Sequence, residues 1–192
     1  MQPRIVVFGI GNASRGDDAI GPLLLERLGI WLAAAGHAPE FALIEDYQLQ
    51  IEHALDLHGK RLALFIDAGC ATPVPAEFYA IGATRTFPAP STHALTPQEL
   101  LGVYCQVVEA EPPPAFVLCV RGERFELGEG LSVEAQAHVE SAWRKLMLLC
   151  QRPDAEHWRA LAARETLQKG PKGRDGALPF PSGPPLQIPP SQ

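Results

Sequence analysis

Apolar runs and their periods divide the chain into alternating elements. "RIVVFGI" (4–10) is almost continuously apolar, the pattern of a strand covered on both faces. Residues 18–35 then carry Ile20, Leu23, Leu24, Leu28 and Trp31 near helical spacing and predict a helix, with Asp17 or Asp18 as its cap and Pro22 near its start. "FALIE" (41–45) predicts a second strand, "LQIEHALDL" (49–57) a short amphipathic helix, "RLALFIDAG" (61–69) a third strand carrying Asp67 at its end, and "AEFYAIGA" (76–83) a fourth strand. "TPQELLGVYCQVVE" has a strong helix start, with Thr96 as cap, Pro97 in the first position and Glu99 completing a capping box. "AFVLCVR" (115–121) predicts a fifth strand. Residues 132–150 predict an amphipathic helix capped by Ser132, with Ala135, Val139, Ala142, Trp143, Leu146 and Leu149 on one stripe.

Strands alternating with helices imply an α/β fold. The expected form is a three-layer sandwich: a mostly parallel five-stranded sheet with helices on both faces. The link between the third and fourth strands is too short for a crossover helix, so that pair is expected to be antiparallel. The domain is expected to span 1–150. Residues 151–192 hold eight prolines and four glycines and read as a partly disordered extension. Within it "DAEHWRALAARETLQK" can form a helix. The extension is either dispensable or a docking segment for a partner.

Composition narrows the function. The chain has 192 residues and a net charge of −6, which argues against non-specific nucleic-acid binding. The extension carries six basic and four acidic residues, so the acidity lies in the body. No apolar run is long enough to cross a membrane, and the N-terminus lacks a signal-peptide layout. A cytoplasmic monomer without membrane or nucleic-acid partners is expected. Cys70, Cys105, Cys119 and Cys150 are widely spaced with no CxxC pair, and read as buried free thiols.

The stretch "GIGNASRGDDAIG" (9–21) carries the chemistry. A glycine turn between strand and helix usually cradles phosphate. Gly9 and Gly11 fit a dinucleotide fingerprint, and Glu45 and Asp46 end the second strand, but Ser14 holds the third glycine position. Asp17 and Asp18 would also repel a pyrophosphate. Carboxylates at a helix start instead favour a cation. Asp67 and His93, the latter in "STHALTP", belong to the same carboxyl edge of the sheet. Asp18, Asp67 and His93 therefore form a candidate O, O, N set for a divalent transition metal, with Asp17 left to cap the helix. The remaining histidines (37, 53, 58, 138 and 157) read as solvated. Arg15 can pair with Asp17 or meet a substrate carboxylate, and Asn12 can tie the loop down.

Together "GIGNASRGDDAIG", "FIDAG" and "STHAL" resemble the maturation endopeptidases of nickel–iron hydrogenases over roughly residues 4–150. "EGLSVEAQAHVESAW" is similar to that family's last loop and helix. The resemblance implies an endopeptidase that removes a short C-terminal peptide from the hydrogenase large-subunit precursor after nickel insertion. It assigns Asp18, Asp67 and His93 as both metal-contacting and catalytic residues, with nickel supplied by the precursor. It also implies an α/β sandwich with a five-stranded sheet. The segment "EDYQLQIEHAL" replaces a glycine-rich turn common in relatives and is closer to the branch serving soluble NAD-reducing hydrogenases. No nucleophile motif stands out, and Cys70 is a weak alternative. Metal-assisted hydrolysis is the expected mechanism, with Asp18 or Asp67 as base. A nickel-dependent assembly factor that does not cleave, and a nucleotide-binding module, are the competing readings.

Overall fold

The computed structural model describes residues 3–84 and 95–168. Five strands form one sheet: β1 (Ile5–Ile10), β2 (Phe41–Asp46), β3 (Leu62–Gly69), β4 (Ala76–Ile81) and β5 (Ala115–Arg121), in the order β2-β1-β3-β5-β4. β1 is buried along its whole length because strands flank it and helices cover both faces, as its unbroken apolar run requires. β2, β1, β3 and β5 are parallel, and β4 pairs antiparallel with β5.

The short β3–β4 link reverses the chain as expected, but the two strands are not neighbours. β5 pairs with both and lies between them. Two strand spacings, about 10 Å, are within reach of the six residues 70–75.

The helices are α1 (Ile20–Ala35), α2 (His53–Asp56), α3 (Pro97–Val108), α4 (Val133–Gln151) and α5 (Ala155–Gln168). α1, α4 and α5 pack on one face around Leu24, Leu28, Trp143, Leu146 and Trp158. α2 and α3 cover the other face through Ala54, Leu100, Leu101 and Tyr104. This is the expected three-layer sandwich. The α2 helix is much shorter than expected, because residues 49–52 form a bridge at Leu49 and a turn instead. Both predicted caps are present: Thr96 and Glu99 make the reciprocal box at α3, and the Ser132 hydroxyl accepts from Ala135 N–H at 3.1 Å.

The packed body does not stop at Cys150. Trp158 of α5 is fully buried edge-on against Phe78 and Phe116, and its indole N–H donates to Leu149 O at 3.0 Å. Glu165 accepts from Phe78 N–H at 3.1 Å, which places α5 along the edge strand β4 and covers it. The large aromatic makes α5 part of the core. The Pro/Gly-rich part of the expected extension, 169–192, lies outside the described residues.

Candidate active site at the carboxyl edge of the sheet

β1, β3 and β5 end side by side, and the segments that follow them build the site. After Ile10 the chain turns at Gly11, whose φ of 134° is closed to most side chains. A Cβ there would also collide with the Asp18 carbonyl oxygen. Gly21 lies against the Ile10 backbone just as tightly, so α1 starts directly on the end of β1. A single 3₁₀ turn, Gly16–Ala19, joins the two elements and carries the acidic pair.

The two aspartates point to different partners. Asp17 has no exposed surface, although only a thin layer of protein covers it. Its carboxylate accepts from the backbone N–H groups of Glu123 (2.7 Å), Arg124 (2.9 Å) and Ser132 (2.7 Å), and from the Ser132 hydroxyl (2.8 Å). Desolvation works against ionisation, but these bonds outweigh it and hold its pKa below the ordinary value. Contrary to the sequence expectation, Asp17 is therefore not the side-chain cap of α1. It ties the β1–α1 turn to the β5–α4 segment. Arg15 joins the same tie, donating from Nε to Phe125 O at 2.9 Å rather than pairing with Asp17.

Asp18 accepts from Asn12 N–H at 2.9 Å, and the Asn12 side chain in turn accepts from Ser14 N–H at 2.9 Å. Asn12 thus holds the loop as expected. Burial raises the Asp18 pKa, opposed by the Asn12 bond and the Arg15 charge.

Asp67 is surrounded by protein yet keeps part of its surface accessible. Among the described residues its carboxylate accepts only from the next N–H, Ala68, at 2.7 Å. Burial, followed by the nearby Asp18 charge, lifts its pKa to about 7 against the lowering effect of that bond. The structure thus brings Asp18 close enough to Asp67 for its charge to oppose the ionisation of Asp67. Two under-bonded carboxylates in such a place fit a cation well. His93 lies outside the described residues; the chain is anchored at Leu95, which bridges to Leu49. Among the described residues no three histidine, cysteine, aspartate or glutamate side chains are arranged to hold a metal ion.

Sequence reasoning missed a row beside Asp67. Cys119 of β5 is in register with Asp67 on one side and Glu77 of β4 on the other. The Cys119 thiol is hydrogen-bonded to the Thr72 hydroxyl at 2.9 Å. Burial, with the Asp67 and Glu77 charges, pushes it up to about 12, so it is a neutral wall of the site. Tyr79, two residues from Glu77 on the same face of β4, is also raised, by burial first. Finding this row needed the strand order, which local periodicity does not carry.

The other expectations divide. All four cysteines are free, but only Cys150 is buried; Cys70 is exposed and Cys105 and Cys119 are half-buried. His138 and His53 are structural rather than solvated. His138 Nδ1–H donates to Arg121 O at 2.9 Å, and His53 accepts from Gln50 N–H at 2.9 Å with its ring edge-on to Phe8. Glu45 and Asp46 end β2 as expected, but Asp46 contacts Tyr47 N–H and His53. No helix among the described residues is long and apolar enough to cross a membrane.

No family model matches the sequence, and no curated protein matches it. Solved structures do share the fold. The chain is similar to the hydrogenase maturating endopeptidase HybD from E. coli, at 20% identity and a TM-score of 0.57 over 77% of this chain and 93% of that one. It is similar to the [NiFe] hydrogenase maturation protease HycI from Thermococcus kodakarensis KOD1, at 22% identity and 0.58 over 79% and 94%. It is also similar to a hydrogenase 2 maturation peptidase from Thaumarchaeota archaeon SCGC_AB-539-E09, at 18% and 0.54 over 77% and 98%. The α/β sandwich is thus a fold used by hydrogenase maturation proteases.

Proposed function

We propose that this protein is an endopeptidase of nickel–iron hydrogenase maturation, which removes a C-terminal peptide from the nickel-loaded large-subunit precursor. The observation that carries the reading is the proximity of Asp18 to Asp67 at the carboxyl edge of a fold that such proteases use.

The pair has a chemical logic. Asp67 at about 7 is poised to gain or lose a proton near neutral pH, which suits a group that takes a proton from water attacking the scissile carbonyl. Asp18 is anchored by Asn12 and sits on a turn fixed by Asp17, so its carboxylate is preorganised. Nickel on the precursor is part of the substrate. It would meet Asp18, Asp67 and His93, offset the repulsion between the carboxylates and polarise the scissile carbonyl. A precursor without nickel would present no charge to offset it. Recognition would then depend on metal loading. The "EDYQLQIEHAL" segment supports a large subunit of the soluble NAD-reducing type as substrate.

Intact-mass spectrometry of nickel-loaded precursor tests this. The expected result is a discrete C-terminal loss with wild-type protein and none with Asp18→Asn or Asp67→Asn. An unchanged mass for a cognate, demonstrably nickel-loaded precursor would replace the peptidase by a non-cleaving assembly factor.

A further inference from the structure

An open groove of about 590 Å³ runs along the outside of the β1–α1 turn, and its lining includes Gly16 and Ala19, which flank the acidic pair. That volume is in the range of ligand-binding clefts. Pro22, Leu23 and Leu131 give it apolar walls. Glu26 of α1, Glu45 of β2 and Glu129 of the β5–α4 segment give it three exposed carboxylates, and no lysine or arginine lines it. Among the described residues no cation pairs with Glu26 or Glu45, and Glu129 has only Arg124 at 3.8 Å.

Its walls are held in place. Gly16 N–H donates to Glu129 O at 3.1 Å, Gly128 N–H donates to Ser14 O at 2.8 Å, and Asp17 grips Ser132 just beyond. The groove is therefore preformed, which lowers the ordering cost of binding. The three carboxylates are not arranged as a metal site. Apolar walls with unpaired carboxylates suit a polypeptide that brings lysine or arginine between small apolar residues. Leu127 and Val133, each 75% exposed on either side of the 129–131 wall, extend the apolar surface toward a partner.

We propose that this groove is a specificity subsite that holds a basic, extended segment of the substrate protein beside the turn that carries Asp18. The assignment rests on the peptidase reading above and adds the chemistry of the segment recognised.

The test is fluorescence anisotropy on the full-length protein with two labelled peptides. In one, lysine alternates with serine and leucine; in the other, glutamate replaces each lysine. The lysine peptide is expected to bind and to weaken with added salt, and the glutamate peptide is not. Glu26→Gln with Glu45→Gln should weaken the lysine peptide about tenfold, since two exposed charge contacts are lost. Equal affinity for both peptides, or for wild type and the double variant, overturns the assignment. So does tighter binding in the full chain carrying Lys169→Gln, Lys172→Gln and Arg174→Gln, because the chain's own basic tail would then be the occupant. The same double variant in the intact-mass assay should raise KM and leave kcat unchanged. Cleavage with an unaltered KM overturns the subsite alone; peptide binding without any cleavage overturns the peptidase reading.

Discussion

Asp17 and Ser132 share two hydrogen bonds, from the serine backbone N–H at 2.7 Å and from its hydroxyl at 2.8 Å. The same hydroxyl accepts from Ala135 N–H and caps α4. One contact thus links the start of α1 to the start of α4 and fixes the loop that presents Asp18.

Removing either partner should loosen that link to different degrees. Asp17→Ala leaves three backbone N–H groups and a hydroxyl without their acceptor, and should cost about 3–5 kcal/mol. Ser132→Ala removes one bond and a helix cap, and should cost about 1–2 kcal/mol. Urea unfolding measures both. A cost for Asp17→Ala no larger than that for Ser132→Ala would deny the carboxylate its central place.

The two buried acids should pull stability in opposite directions with pH. The Asp17 pKa is lowered in the fold, so its contribution is present above the ordinary carboxylate value and is lost as pH falls through the folded value. The Asp67 pKa is raised from 3.8 to about 7, so the unfolded chain gives up that proton first, and stability falls as pH rises from about 4 to about 7. Asp67→Asn removes that penalty. It should raise the thermal midpoint of the metal-free protein at pH 8 and leave it nearly unchanged at pH 4. Identical midpoints at pH 8 would contradict an under-bonded Asp67.

Much of this was legible from the chain because it is local. The continuous apolar run of β1, the Thr96–Glu99 box and the Ser132 cap are written in neighbouring residues, and all three formed. The acidic pair after a glycine turn is equally local, and its second member does lie near Asp67. What local pattern lacks is sheet order. It could not show β5 lying between β3 and β4, nor the Cys119 row that follows from that order. It also assigned Asp17 to its own helix, because a cap is the nearest available role. The partner is 115 residues away, and no spacing rule reaches it.

Trp158 tests where the fold ends. The Trp158→Ala cavity between Phe78, Phe116 and α4 should cost about 3–5 kcal/mol. A truncation after Cys150 should lower the midpoint by at least as much, since it also uncovers β4. A truncation after Gln168 is the matched control: it keeps Trp158 and α5, and should melt above the chain that ends at Cys150. If the chain ending at Cys150 melts like the full protein, α5 is an appendage after all.

The acidic pair itself gives the decisive contrast between folding and chemistry. Asp18→Asn and Asp67→Asn keep volume and remove charge, so both should fold, and each should reduce precursor cleavage by about 10²-fold or more. The metal-free Asp67→Asn protein should be the more stable of the two at pH 8, because Asp67 carries the larger desolvation burden. His93→Ala belongs in the same series and should lose activity with no loss of stability, as expected of a ligand that meets the metal only with substrate bound. Binding of the nickel-loaded precursor by isothermal calorimetry should weaken in all three. A variant that folds, binds the nickel-loaded precursor like wild type and cleaves at the wild-type rate would remove its residue from the site. If Asp67→Asn alone did so, the raised pKa would be a feature of packing and Asp18 would be left to act as base.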